Sequence, residues 1–163
     1  MNAQLVELMA PERIIVRAAA GSKKSALEAV SALIAGSHPG LTETKIYDCL
    51  LARERLGSTG IGHGIAIPHG RLPSIVRPVG AFAALEKGVD FAALDGAPVD
   101  LILALVVPAE STEQHLRILT SLATLFSDER LREGLRQAAS PEAAYTLLTG
   151  DDAAPRRRAA APA

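Results

Sequence analysis

Helical and extended hydrophobic periods alternate along this chain, and each change of period marks an expected element. Leu5, Val6, Leu8 and Met9 support a short helix within residues 1–10, which Pro11 interrupts. Ile14, Ile15 and Val16 are β-branched and predict a short strand. Ser22 is a suitable N-cap for the next helix. Its apolar positions Ala26, Leu27, Val30, Leu33 and Ile34 recur at helical spacing, and His38-Pro39-Gly40 ends it. His38 reads as an exposed loop histidine. Thr42 caps a further helix that stops before Gly57. Its stripe of Ile46, Cys49 and Leu50 reads as core, and the next position on that stripe is Arg53. Arg55 points elsewhere, about 200° round the helix at roughly 100° per residue.

From residue 61 to 69 the period becomes two. Ile61, His63, Ile65, Ile67 and His69 share one parity, and Gly62, Gly64, Ala66 and Pro68 the other. A continuous strand would put both histidines on one face with three isoleucines. Pro68 ends the ladder, so His69 is expected just past a strand end, where loops carry function on a rigid base. Residues 73–78 read as a loop and 79–85 as a strand. Gly88 and Asp95-Gly96 place turns within 86–97. Leu101–Val107 is an unbroken apolar run, the mark of a central strand buried on both faces. Ser111-Thr112-Glu113-Gln114 has the form of a capping box. The helix it opens has an inner stripe of Ile118, Leu119, Leu122, Leu125 and Phe126, and His115 extends that stripe into the first turn. Ser127-Asp128-Glu129 and Ser140-Pro141-Glu142 begin two more helices, the second ending at Gly150. Strands interleaved with helices indicate an α/β fold, one domain over residues 1–150. Residues 151–163, rich in Ala, Pro and Arg, read as a disordered tail. There is no internal repeat.

Composition narrows the picture. Hydrophobic residues make up 48% of the 163 but aromatics only 3%, so the core is aliphatic. A net charge of −1 provides no bulk attraction to nucleic acid or membrane, and Arg156-Arg157-Arg158 alone reads as solvated. No apolar run reaches the roughly 18–20 residues of a membrane span, and no basic segment precedes an apolar signal core. The expected location is the cytoplasm. Cys49 is the single cysteine, which excludes an intrachain disulfide and a cysteine-rich zinc site.

The chemistry centres on Arg53-Glu54-Arg55-Leu56-Gly57-Ser58-Thr59-Gly60-Ile61-Gly62-His63-Gly64-Ile65-Ala66-Ile67-Pro68-His69-Gly70. The glycines fit neither a P-loop nor a dinucleotide-binding turn, and no H-E-x-x-H helix occurs. A zinc site from His63, His69 and His115 would set a cation beside Arg53. An anion site accommodates the residues better. His69 offers an unprotonated imidazole nitrogen as nucleophile, Arg53 a planar fork of donors, His115 a donor at a helix N-terminus, and the glycines close backbone approach. That set suits phosphoryl transfer and calls for no metal or cofactor. Spacing alone leaves blander readings open: Arg53 bonding the helix's C-terminal carbonyls, His69 as a hydrogen-bonded structural histidine, His115 packed on the core.

Residues 53–70 resemble the signature of the phosphotransferase-system enzyme IIA domains of the fructose/mannitol type, nearest to their nitrogen-regulatory branch. Gly88-Val89-Asp90-Phe91, Leu94-Asp95-Gly96, the strand from Asp100 to Pro108 and Glu113-Gln114-His115-Leu116 with Leu119 extend the resemblance over roughly residues 5–148. The resemblance implies a mixed β-sheet flanked by helices. It also implies a phosphoacceptor at Nε2 of His69, with Arg53, sixteen residues upstream, and His115 as its partners in the site. His63 falls at a position that varies in related domains and receives no role. The implied donor is a histidine phosphocarrier of the HPr type (NPr in the nitrogen branch), itself charged by an enzyme I that uses phosphoenolpyruvate. The implied output is regulation of target proteins such as potassium-transport components, sensor kinases or metabolic enzymes. The alternative is a sugar-transport component passing the phosphoryl group to a IIB domain. A third reading is a binding module that keeps the fold without phosphorylation, against which the His69, Arg53 and His115 set argues.

Overall fold

The computed structural model describes residues 2–150. The disordered tail expected over residues 151–163 lies outside them. Helix α1, Ala3–Leu8, is capped by Asn2, whose side chain accepts the Leu5 N–H. A 3-10 turn at Pro11–Arg13 leads into strand β1, Ile14–Ala18. Helix α2, Lys23–Gly36, opens on a reciprocal Ser22/Ser25 capping box, and α3, Glu43–Glu54, on a Thr42 cap. Strands β2 (Gly60–Gly62), β3 (Ile65–Ala66), β4 (His69–Leu72), β5 (Val79–Val89) and β6 (Val99–Pro108) follow. Three helices close the described chain: α4 (Thr112–Phe126), α5 (Glu129–Gln137) and α6 (Pro141–Thr149). Gly150 ends the last at φ 70°, a left-handed cap that glycine adopts without steric cost.

The strands form one mixed sheet in the order β1-β5-β6-β3-β2, with β4 also pairing on β6. Strand β6 is central, as its apolar run requires. It is antiparallel to β5 and parallel to β3 and β4. Its alternate residues divide the core. Leu101, Leu103, Leu105 and Val107 pack with α1, α4, α5 and α6 on one face. Ile102, Ala104 and Val106 pack with α2 and α3 on the other. Burial on both faces is why no polar residue interrupts residues 101–107.

Several local expectations change. Residues 61–69 are not one strand. β2 and β3 form a hairpin in which Gly62 pairs with Ile65, and the intervening His63 and Gly64 both have positive φ (57° and 79°). Such a turn matches the twist of the flanking strands. β3 and β4 then run along β6 in one register (Ile65 opposite Leu101, His69 opposite Leu105), interrupted at Ile67-Pro68 where proline offers no N–H. His69 therefore follows the end of β3, as expected, but opens the next strand instead of lying in a loop. Gly88 lies inside β5, not in a turn. The register shifts between Ala84 and Val89, and a Cβ at Gly88 would come within 2.7 Å of the Pro98 side chain. The turn at Asp95-Gly96 forms, with Gly96 at φ 71°. Helix α4 starts where expected, but Ser111 makes no side-chain cap bond, because its ψ of 52° departs from the extended geometry that aims a capping oxygen inward. His38 is half-buried, with its Nδ1 3.2 Å from the Ser37 hydroxyl.

Candidate functional site

Strand β4 positions three consecutive groups by alternation. His69 and Arg71 have the parity of Ile65 and Ile67, which pack on the α4 side of the sheet, while Gly70 faces α3. A Cβ at Gly70 would collide with Cys49 Sγ, and the Cys49 carbonyl oxygen would lie only 3.2 Å from it. The glycine thus lets α3 lie close against β4, which pairs only with β6. That approach brings the line Lys45, Cys49, Arg53 of α3 to the wall of a cavity of about 700 Å³. His69, Arg71, His115 and Leu116 also line it, so the three residues singled out from spacing meet at one place.

Arg53 does not continue the buried stripe of α3. The buried positions are Ile46, Leu50 and Glu54, each four residues on, and Arg53 is half-buried beside them. Its Nη1 donates to the Gly57 carbonyl at 2.9 Å, across the end of the helix. Cys49 is likewise half-buried: it packs against the core layer of α2 and α3 and also lines the cavity, and burial raises its thiol pKa. Glu54 was not anticipated. Its carboxylate, 3% exposed, accepts the Thr59 N–H and hydroxyl and pairs with Lys23 Nζ at 2.9 Å. This cluster ties the end of α3 to the start of β2. The four-residue spacing from Leu50 was the sequence signal for it.

The His69 ring has its Nδ1 2.8 Å from the Ile67 carbonyl oxygen. A carbonyl only accepts, so Nδ1 carries the proton and Nε2 keeps a lone pair. Burial holds the His69 pKa below its usual value, with the Arg53 charge adding to that effect; the Ile67 bond and Glu54 oppose it. The His115 ring lies edge-on to His69, 5.2 Å between centroids at 74°. His115 is buried, and among the described residues its Nε2 has no hydrogen-bond partner. Burial, then His69, Arg71 and Arg53, push its pKa down to about 4. Two neutral imidazoles beside two guanidinium groups leave the cavity cationic, which suits an anion. Arg71 was also not anticipated, although its i, i+2 spacing from His69 on a strand was a usable signal. Its Nε donates to His115 Nδ1 at 3.3 Å.

His63 is elsewhere. It stands exposed at the hairpin turn, its N–H bonded to Asp95 and its carbonyl accepting from Arg136 Nη2 at 2.6 Å, while Arg136 also pairs with Asp100. The three-histidine zinc arrangement is therefore not assembled. Among the described residues no group of three or more His, Cys, Asp or Glu is arranged to hold a metal ion.

The profile of the family described as "Phosphoenolpyruvate-dependent sugar phosphotransferase system, EIIA 2" matches residues 7–150. The chain belongs to that family. A nitrogen regulatory protein of Pseudomonas aeruginosa is 43% identical over 145 residues, covering 89% of this chain and 94% of the relative. One from Escherichia coli is 44% identical over 135 residues, 82% of each. The crystal structure of nitrogen regulatory protein IIA-Ntr from Neisseria meningitidis superimposes with a TM-score of 0.84 at 39% identity, covering 90% of this chain and all of that one. The chain is thus a IIA component of the phosphotransferase system, with the mixed sheet and flanking helices of that fold. Among the described residues no helix is long and apolar enough to cross a membrane.

Proposed function

We propose that this protein is a phosphohistidine carrier of the nitrogen-regulatory branch, accepting a phosphoryl group on Nε2 of His69 from an HPr- or NPr-type protein. The observation that carries the proposal is the meeting of His69, Arg53 and His115 at one cationic cavity, with Nε2 the free lone pair of His69. In the transfer, the His69 Nε2 lone pair forms a bond to phosphorus as the N–P bond to the donor histidine breaks, and that electron pair returns to the donor nitrogen. The Nδ1–H donated to Ile67 holds the ring on line and disperses the charge that develops on the imidazole. Arg53 and the buried Nε2 of His115 stabilise the equatorial phosphoryl oxygens. Leu56 and Leu116, 84% and 59% exposed, both line the cavity and give a protein donor an apolar surface to bury.

The names of these relatives, nitrogen regulatory proteins, support a regulatory output. In our reading the phosphorylation state of His69 controls binding to target proteins, potassium-transport or sensor-kinase components among them. The test of acceptance uses phosphoenolpyruvate, enzyme I and HPr with the full chain. Wild-type protein should gain one acid-labile, base-stable phosphate, read by mass spectrometry, and His69→Ala none. Phosphate of that stability on the variant would refute the assignment.

A further inference from the structure

A neutral imidazole has one nitrogen that donates and one that accepts, and its neighbours decide which is which. In His115 the neighbour of Nδ1 is Arg71 Nε, at 3.3 Å. A guanidinium is always protonated and has no acceptor, so Nδ1 must accept and the proton must lie on Nε2. The other tautomer would aim N–H at N–H. Nε2 is buried and unpartnered. A buried donor without an acceptor is unfavourable, so burial in this pocket works against the modest intrinsic preference of a neutral imidazole for Nε2–H, and the Arg71 donor offsets it. The contrast with His69 is direct. There Nδ1 faces the Ile67 carbonyl, so Nε2 bears the lone pair. Two adjacent histidines in the same neutral state thereby present opposite chemistry at the same ring atom.

We infer that Arg71 is a positioning residue: by donating its Nε–H to Nδ1 of His115 it fixes the His115 proton on Nε2, making that histidine a hydrogen-bond donor to a phosphoryl group at His69. The inference rests on the phosphoacceptor reading of His69. Among the described residues, Arg71 is the group bonded to Nδ1 of His115. Arg53 and His69 are the other charged or titratable groups that bear on His115, and neither is bonded to its Nδ1. Arg71 is well placed to be tested, because its side chain is exposed and its strand is held by backbone pairing of Arg71 with Val107, so the core does not depend on it.

The experiment reads the His115 tautomer directly, by two-bond proton–nitrogen correlation spectra of the ¹⁵N-labelled full chain at pH 8. Wild type should show His115 protonated at Nε2. Arg71→Met, which removes both donor and charge, should shift the His115 proton toward Nδ1 or into a mixture. Arg71→Gln, which keeps a donor without the charge, should restore the Nε2–H pattern. An unchanged tautomer in Arg71→Met overturns the inference. So does loss of the pattern in both variants, since charge rather than donation would then be responsible. In parallel, phosphoryl acceptance from phospho-HPr should fall about tenfold in Arg71→Met and recover in part in Arg71→Gln, in line with loss of one oriented donor. Failure of wild type to accept phosphate would refute the reading of His69 while leaving the tautomer measurement standing, so the two claims are separable.

Discussion

His115 shows how one buried side chain links the site to stability. Its pKa is pushed down to about 4, first by burial and then by His69, Arg71 and Arg53. In the unfolded chain it titrates near 6.5. Between those values the unfolded state binds a proton that the folded state refuses, so folding loses free energy as pH falls from about 6.5 to about 4. Above 6.5 both states are neutral and the effect vanishes. His115→Gln should therefore flatten the acid side of the stability profile, with urea midpoints falling less than those of wild type over that window. A parallel fall in both proteins would remove His115 as the cause. His69, also shifted down, acts in the same direction and stays neutral at pH 7, the form that phosphoryl acceptance needs.

Helix α3 serves two faces at once. Its buried line of Ile46, Leu50 and Glu54 anchors it, and its neighbouring line of Lys45, Cys49 and Arg53 walls the cavity. The anchor ends in a charged cluster: Glu54 satisfies Thr59 twice and pairs with Lys23, whose Nζ also lies 5.1 Å from the Phe91 ring centroid. Glu54→Ala would leave the buried Thr59 donors without their acceptor and the partly exposed Lys23 without its partner. The expected loss is about 3–5 kcal/mol, measured by urea denaturation. Glu54→Gln should recover part of it by keeping an acceptor for Thr59. A change within the ordinary range of surface substitutions would show that the cluster is not an anchor. The interruption between β3 and β4 is equally local in origin: Pro68 has no N–H to give, yet its carbonyl still accepts from Leu105 at 2.9 Å, so the register survives the gap.

At the scale of the molecule, the sheet separates two apolar layers, and β4, paired only with β6, brings elements from both layers together. His115 comes from α4 on one face and Arg53 from α3 on the other. All the proposed site residues fall within the family match at residues 7–150. Deleting residues 151–163 should accordingly leave the rate of phosphoryl acceptance from phospho-HPr unchanged; a large loss would assign that segment a part in the site or in donor docking.

Local rules carried the sequence a long way. The run from Leu101 to Val107 required a strand covered on both sides, Ser22, Thr42 and Ser140 announced helix starts, and the helical periods brought Arg53 and His115 toward the histidine of Ile67-Pro68-His69-Gly70. These follow from side-chain period and short-range backbone sterics, which sequence encodes directly. Alternation could not reveal the hairpin that turns His63 away, because strand and hairpin share the same parity and only the left-handed backbone at His63-Gly64 distinguishes them. Nor could it pair Arg71 with His115, 44 positions apart, or choose Glu54 over Arg53 for burial. Those outcomes depend on how β4 registers on β6 and how closely α3 seats on Gly70. Distant elements set them by packing together, so the tertiary structure alone decided that Arg71 Nε meets His115 Nδ1, whereas the Ile67 carbonyl that bonds His69 Nδ1 comes from only two residues away.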